Sequence, residues 1–266
     1  MCLKPIDMFR SQPLLMGSSP HRARTLKERG VMLKVLLTVD TEVYPIHMNW
    51  KEDRLSRDIQ RDIYAQVGDR SVGLDYLLEV LNRSGLKAVF FVESLFSAVP
   101  AVGHELLAEI VQKALNDGHA VPLHIHTKWI RFCPDLNVEF RGGILPLYSC
   151  EEQTELIAFA SEKLQSCGAP KFIAFRAGDY AADDSTIKAL RRLEIAFDSS
   201  FSISYAGTNC RLPFPESFGK PTDLGGVIEI PIGAIEDYPK HLRHTQLGAC
   251  GGNELIHALN EAEANG

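Results

Sequence analysis

Residues 74–93, LDYLLEVLNRSGLKAVFFVE, hold in one short stretch the pattern that the rest of the chain repeats. Leu74, Leu77, Leu78 and Leu81 recur at i, i+3, i+4 and i+7, the apolar stripe of a helix that faces a core. Gly85 stands where a helix C-cap is expected. The run 87–92 then reads as a short buried strand, closed by the acid Glu93.

Outward from this unit the same grammar recurs. Strands are predicted over 33–39, 87–92, 120–125, 171–175, 195–197 and 227–230. A second helix carries the stripe Leu107, Ile110, Val111 and Ala114 and stops before Gly118. A third is announced by Ser149 with Glu152 three residues on, a capping-box spacing, and runs to about Cys167 before Gly168. Strands alternating with amphipathic helices define an α/β fold. At 266 residues one such domain is expected.

Composition narrows the function classes. With 45% hydrophobic and 23% charged residues the chain has ample material for a core. A net charge of −6 without a basic stripe argues against a nucleic-acid partner. Its longest apolar runs fall well short of the roughly 18 residues that span a bilayer. Six scattered cysteines, none in a CxxC spacing, together with an N-terminus lacking a secretory pattern, place the protein in the cytoplasm. Residues 1–31 concentrate Lys4, Arg10, Arg22, Arg24, Lys27 and Arg29 against Asp7 and Glu28. They read as a poorly ordered basic extension ahead of a domain over 32–266, with Met32 an alternative start.

The polar residues fall at strand ends. Asp40 and Glu42 close the first predicted strand, Glu93 the second, His124 and His126 the third, Arg176 the fourth and Asp198 the fifth. In a parallel sheet these ends meet on one face, which is where chemistry is expected. Asp40 and Glu42 stand at i and i+2, so an extended chain points both to one side, and the same spacing relates His124 and His126. Either pair alone fits solvated residues at a strand end. Together they suit a divalent transition metal, which carboxylates and neutral imidazoles both ligate. Arg176 would lie within reach of the first strand's acids and hold a carboxylate ionised, as a general base requires. Glu93 and Asp198 are candidates for orienting these groups from behind. His119 opens its strand at the opposite end and is read as structural or surface. Trp50, in a long loop over 43–70, and Trp129, just before another over 130–148, fit either a sugar-binding groove or packing.

In this order the segments TVDTE, AVFFVE, GHAVPLHIHTKW, FRAGDYAADDSTIKAL, IAFDSSF and VIEIPI resemble the polysaccharide deacetylase family, also called the NodB-homology or carbohydrate esterase 4 family, over residues 32–232. The resemblance implies a distorted (β/α) barrel and a metal-dependent hydrolase that removes an acyl group from a sugar. It implies Asp40 as general base with Arg176 positioning it, Glu42, His124 and His126 as ligands of a divalent metal, Zn2+ by preference, and Trp129 and Tyr180 facing a carbohydrate substrate.

This chain departs from the family pattern twice. Lys128 stands where a second metal histidine is usual, so His126 is expected to take that place. No strand with a histidine follows the last helical stripe, Leu255, Ala258, Leu259 and Ala262, and the domain is therefore expected to be truncated. His241, His244 and His257 are read as surface residues. The departures keep two alternatives open: a catalytically silent relative that binds carbohydrate or a partner protein, and a hydrolase of C–N bonds in small amides.

Overall fold

The structure is a computed structural model that describes residues 33–43, 45, 50–99, 103–171, 173–213, 219–239 and 241–265. The basic extension over 1–31 and Met32 lie outside the described residues.

In chain order, β1 (Thr38–Thr41) leads through helix α1 (Leu55–Ile59) to a small hairpin of β2 (Gln66–Val67) and β3 (Arg70–Ser71). Helix α2 (Leu74–Arg83), strand β4 (Val89–Glu93), helix α3 (Gly103–Asn116) and strand β5 (Leu123–Ile125) follow. Then come α4 (Cys150–Ser166), β6 (Ala174–Ala177), α5 (Asp184–Arg192), β7 (Phe197–Asp198), β8 (Thr222–Asp223) and β9 (Ile228–Glu229). A second hairpin, β10 (Ala234–Tyr238) with β11 (His241–His244), and helix α6 (Gly252–Asn265) complete the order.

The sheet is ordered β1-β4-β5-β6-β7-β9-β8, and every neighbouring pair is parallel except β8 with β9. The six parallel strands are those predicted from the sequence. Among the described residues the pairing runs from an edge at β1 to an edge at β8 and does not close the expected barrel. The sheet is nevertheless strongly curled, since Arg176 of β6 reaches Thr38 and Asp40 of β1 across two intervening strands.

The helices form where the sequence places them. Leu74, Leu78 and Leu81 of α2 are buried and Leu77 packs against the same core. Leu107, Ile110, Val111 and Ala114 of α3 are all buried. Gly85 and Gly118 close these helices at φ +64° and +72°, a left-handed conformation that glycine adopts without a Cβ penalty. The capping box of α4 is complete: the Ser149 hydroxyl accepts from the Glu152 amide at 3.2 Å, and the Glu152 carboxylate accepts from the Ser149 amide at 2.9 Å.

One expectation needs correction. The sequence predicts the first strand over 33–39, but pairing begins at Thr38 and runs to Thr41, with Leu33, Val35 and Leu36 exposed. The apolar run is edge backbone that leads into the ladder. Helix α6, which carries the last predicted helical stripe, leans on the β10–β11 hairpin through the Arg243–Glu254 ion pair. Of its stripe, Leu255 and Ala258 are half-buried, whereas Leu259 and Ala262 are exposed. Among the described residues no helix is long and apolar enough to cross a membrane.

Candidate metal and acid-base site

The parallel strands deliver their C-terminal residues to one face. Register places Glu93 of β4 beside His124 of β5, and His124 beside Arg176 of β6. Glu42 follows β1 directly and His126 follows β5, so the i, i+2 spacing brings both histidines to the same side.

There the Glu42 Oε2 atom lies 2.8 Å from His124 Nε2 and 2.5 Å from His126 Nε2, with the two ring nitrogens 3.2 Å apart. Both imidazoles are buried, whereas the Glu42 side chain remains 33% exposed, which leaves the cluster open on one side. On its far side, His124 Nδ1 stands 2.9 Å from the Arg176 carbonyl oxygen. A carbonyl only accepts, so Nδ1 carries a proton and donates it. In the neutral ring Nε2 is then a bare lone pair aimed at a carboxylate oxygen. Two acceptors at this separation require positive charge between or on them, supplied either by a proton on the imidazole or by a cation.

The ionisation of the site follows the same logic. Burial alone would raise the Glu42 pKa, but the hydrogen bonds and charges of His124 and His126 hold it well below the usual carboxylate range. Burial opposes charge on His124, and the bond to Glu42 with the charge of Asp40 overcomes it, so the His124 pKa is raised. Two imidazole nitrogens and one carboxylate oxygen form a donor set that fits a divalent transition metal, and the three groups are the metal-competent cluster among the described residues.

Beside it, Arg176 Nη1 donates to Asp40 Oδ1 at 2.5 Å and to Thr38 Oγ1 at 3.2 Å. Arg176 Nε donates to the Ser199 carbonyl and Nη2 to the Ser199 hydroxyl, both at 2.9 Å. Its guanidinium carbon sits 4.1 Å from the centre of the Phe91 ring. The arginine is thus enclosed and held from four sides, with its charge directed at Asp40.

Glu93 is fully buried behind the histidines. One oxygen accepts from the Leu95 amide at 2.6 Å and the other from the His126 amide, which fixes the backbone that carries His126. Burial first of all pushes its pKa up to about 8. Gly178 presses on the other side of His126: a Cβ there would stand 2.5 Å from the ring Nδ1 and 2.7 Å from the Ile125 carbonyl.

Asp40, Glu42, His124, His126 and Arg176 are therefore gathered in one place. Lys128 pairs with Asp179, with Nζ 3.7 Å from Oδ2. Tyr180, half-buried, feels the charges of Asp40 and Arg176, and burial pushes its pKa up to about 12. It and Asp179 both adopt left-handed backbone, at φ 53° and 54°, an uncommon conformation for side chains of this size.

Trp129, expected to face a carbohydrate, lies in the core. It is fully buried, donates from Nε1 to the Val43 carbonyl at 2.8 Å, and packs edge-on against Trp50 at 5.1 Å. Its large apolar ring gains more in the core than on a wet rim, and its one polar atom is satisfied there. Trp50 is buried likewise and donates to Asp58. His119 is structural as expected, accepting from the Ala88 amide at 3.2 Å, though buried. His241 and His257 are exposed, each beside an acid. His244 departs from the surface expectation. It is half-buried against Tyr205 and Tyr180, with ring centres 6.2 and 6.0 Å away. Its position comes from the hairpin and had no periodic signal in the sequence. Ser199, just after β7, and Tyr205 likewise had no periodic signal.

No family model matches the chain, and no curated protein matches it. Solved structures do. A Mycobacterium smegmatis protein assigned as a polysaccharide deacetylase superposes with a TM-score of 0.51 at 14% identity, covering 85% of this chain and 72% of that one. A family 4 carbohydrate esterase from Streptomyces lividans, solved with acetate, matches at a TM-score of 0.37 and 13% identity, over 50% of this chain and 58% of its own. A family 4 pseudoenzyme from Bacillus anthracis matches at 0.35 and 13% identity, over 61% of this chain and 41% of that one. The chain thus spans little more than half of the Streptomyces lividans esterase. A parallel sheet with flanking helices, its strand ends bearing this constellation, has the fold of the polysaccharide deacetylases.

Proposed function

We propose that this protein is a metal-dependent hydrolase that removes an acyl group, acetyl by preference, from an N- or O-acylated sugar or oligosaccharide. We read the curled sheet as the incomplete (β/α) barrel of that family. One observation carries the reading: a Glu42–His124–His126 cluster whose donor set fits a divalent cation lies next to a carboxylate, Asp40, held by a buried arginine.

Glu42, His124 and His126 are the residues that would hold a divalent ion, Zn2+ by preference. When bound, such an ion supplies Lewis acidity that polarises an acyl carbonyl and acidifies water. The chain's own residues do the rest. Asp40, aimed by Arg176, accepts the proton of the attacking water. The bond from the Arg176 carbonyl to His124 Nδ1 fixes that ring's tautomer and orientation. Tyr180 borders Asp40 and is proposed to contact the substrate. The free buried thiols Cys133, Cys167 and Cys210 support a reducing compartment such as the cytoplasm.

Metal content and turnover of N-acetylated chitooligosaccharides, measured on the same preparations, test this reading. One divalent ion per chain, lost in Glu42→Gln and His124→Ala, with acetate release abolished in Asp40→Asn while metal is retained, is the expected result. A chain that takes up no metal yet binds the oligosaccharide would replace the hydrolase by the silent carbohydrate-binding relative.

A further inference from the structure

Away from the metal ligands, β7 and β9 carry two carboxyl groups that the reaction does not use. Asp198 and Glu229 are Cα partners in the parallel register, so both side chains leave the sheet on one face. Both are buried. Asp198 Oδ1 accepts from the Ser200 hydroxyl at 2.6 Å, and Glu229 Oε1 accepts from the Phe201 amide at 3.0 Å. The remaining oxygens, Asp198 Oδ2 and Glu229 Oε2, are buried without a hydrogen-bond partner. Two buried carboxyl oxygens face one another stably only with a proton between them.

The turn between these residues is what grips Arg176. The Ser199 carbonyl and hydroxyl accept from Arg176 Nε and Nη2, and the same hydroxyl donates to the Ile230 carbonyl at 2.9 Å. The Ser200 hydroxyl accepts from the Ala177 amide at 2.9 Å while donating to Asp198. Asp198 thus fixes the start of the 198–201 turn and Glu229 its end.

We propose that Asp198 and Glu229 share a single proton and form a positioning pair, which locks the 198–201 turn and through it holds Arg176 in line with Asp40. The pair carries one negative charge next to the Arg176 guanidinium on β6, and the Cys210 thiol is the other titratable group that bears on it. Burial, and then the charge of Asp198, drive the Glu229 pKa well above the ordinary value, in keeping with a proton retained at neutral pH. The inference deepens the reading of Arg176 as partner of Asp40, but its test uses no turnover, so it stands or falls apart from the hydrolase reading.

Infrared difference spectra at neutral pH between wild type and Glu229→Gln read the proton directly. A protonated-carboxyl band present in wild type and missing in E229Q is expected, with any contribution from Glu93 cancelling in the difference. Asp198→Asn should lose the same band, because either amide donates where the shared proton did and leaves one carboxylate charged. In protein labelled with 15N-arginine, the Arg176 Nε–H signal, assigned with R176K, should survive in both single variants. In D198N/E229Q, which removes the pair's charge and leaves Arg176 only Asp40 as a charged partner, that proton should exchange at least tenfold faster. The proton also stabilises the fold at pH below the ordinary carboxylate pKa, and this contribution erodes as pH rises through the raised value. E229Q should therefore lose about 3 °C less of its Tm than wild type between neutral and alkaline buffer. Absence of a band difference, an unchanged Arg176 Nε–H exchange rate in the double variant, or failure of both single amides to fold would overturn the proposal.

Discussion

Arg176 Nη1 lies 2.5 Å from Asp40 Oδ1 although β4 and β5 separate their strands in the sheet. Three flat steps would set β6 and β1 roughly 14 Å apart, beyond a side chain's reach. Curling of the sheet closes that distance, and the Arg176 fork spans it by bonding Thr38, Asp40 and Ser199 at once. A lysine keeps the charge, but its donors all radiate from one nitrogen and cannot reproduce the spread of the three guanidinium nitrogens. Arg176→Lys is expected to cost about 3 kcal/mol in urea denaturation, the lower end for a broken buried pair because Asp40 is 25% exposed. A cost below about 1 kcal/mol would show that the fork does not brace the sheet.

Gly178 is predicted to be essential to the cluster for steric reasons. An added Cβ at 2.5 Å from His126 Nδ1 must displace the ring, because the neighbouring Ile125 carbonyl, at 2.7 Å, is backbone and cannot yield easily. Gly178→Ala should weaken divalent-metal affinity at least tenfold in titration calorimetry, with a loss of about 1–3 kcal/mol in stability. Unchanged affinity would mean that His126 does not hold the ion.

Trp129→Phe separates core from groove. It removes the donor to the Val43 carbonyl and leaves that acceptor buried, so a loss of about 1–3 kcal/mol in thermal or chemical unfolding is expected. Oligosaccharide affinity of the folded variant should stay within about twofold. A sugar-binding defect without a stability loss would return this residue to the substrate.

Cys133 offers a pH-dependent check on the core. Burial first, then the charge of Glu93, push its thiol up to about 12. An acid with a raised folded-state pKa keeps its proton in the native state and contributes stability that fades only as pH climbs through that raised value. Native protein at mildly alkaline pH should therefore leave Cys133 unmodified by iodoacetamide, whereas urea-unfolded protein reacts fully, as mass spectrometry of the peptide would read out. Rapid labelling of native protein would contradict this burial.

Much of this architecture is legible in the chain because it is local. Leu107, Ile110, Val111 and Ala114 share one helical face whatever surrounds them, and Ser149 with Glu152 closes its own reciprocal bonds within one turn. The i, i+2 spacing of His124 and His126 likewise sets their common side as soon as the segment is extended. The start of β1 is less legible, because 33–37 is as apolar as a strand but has only an edge to pair with.

What the sequence by itself determined is thus the alternation of strands and helices and the set of polar residues at strand ends. Only the tertiary structure decided that Trp129 belongs to the core, that His244 folds back onto Tyr180 and Tyr205, and that Asp198 meets Glu229. The physical reason is range. Dihedral periodicity acts over a few residues, whereas the pairing of β7 with β9, the curl that brings β6 to β1, and the burial of an indole depend on which distant segments exclude water together.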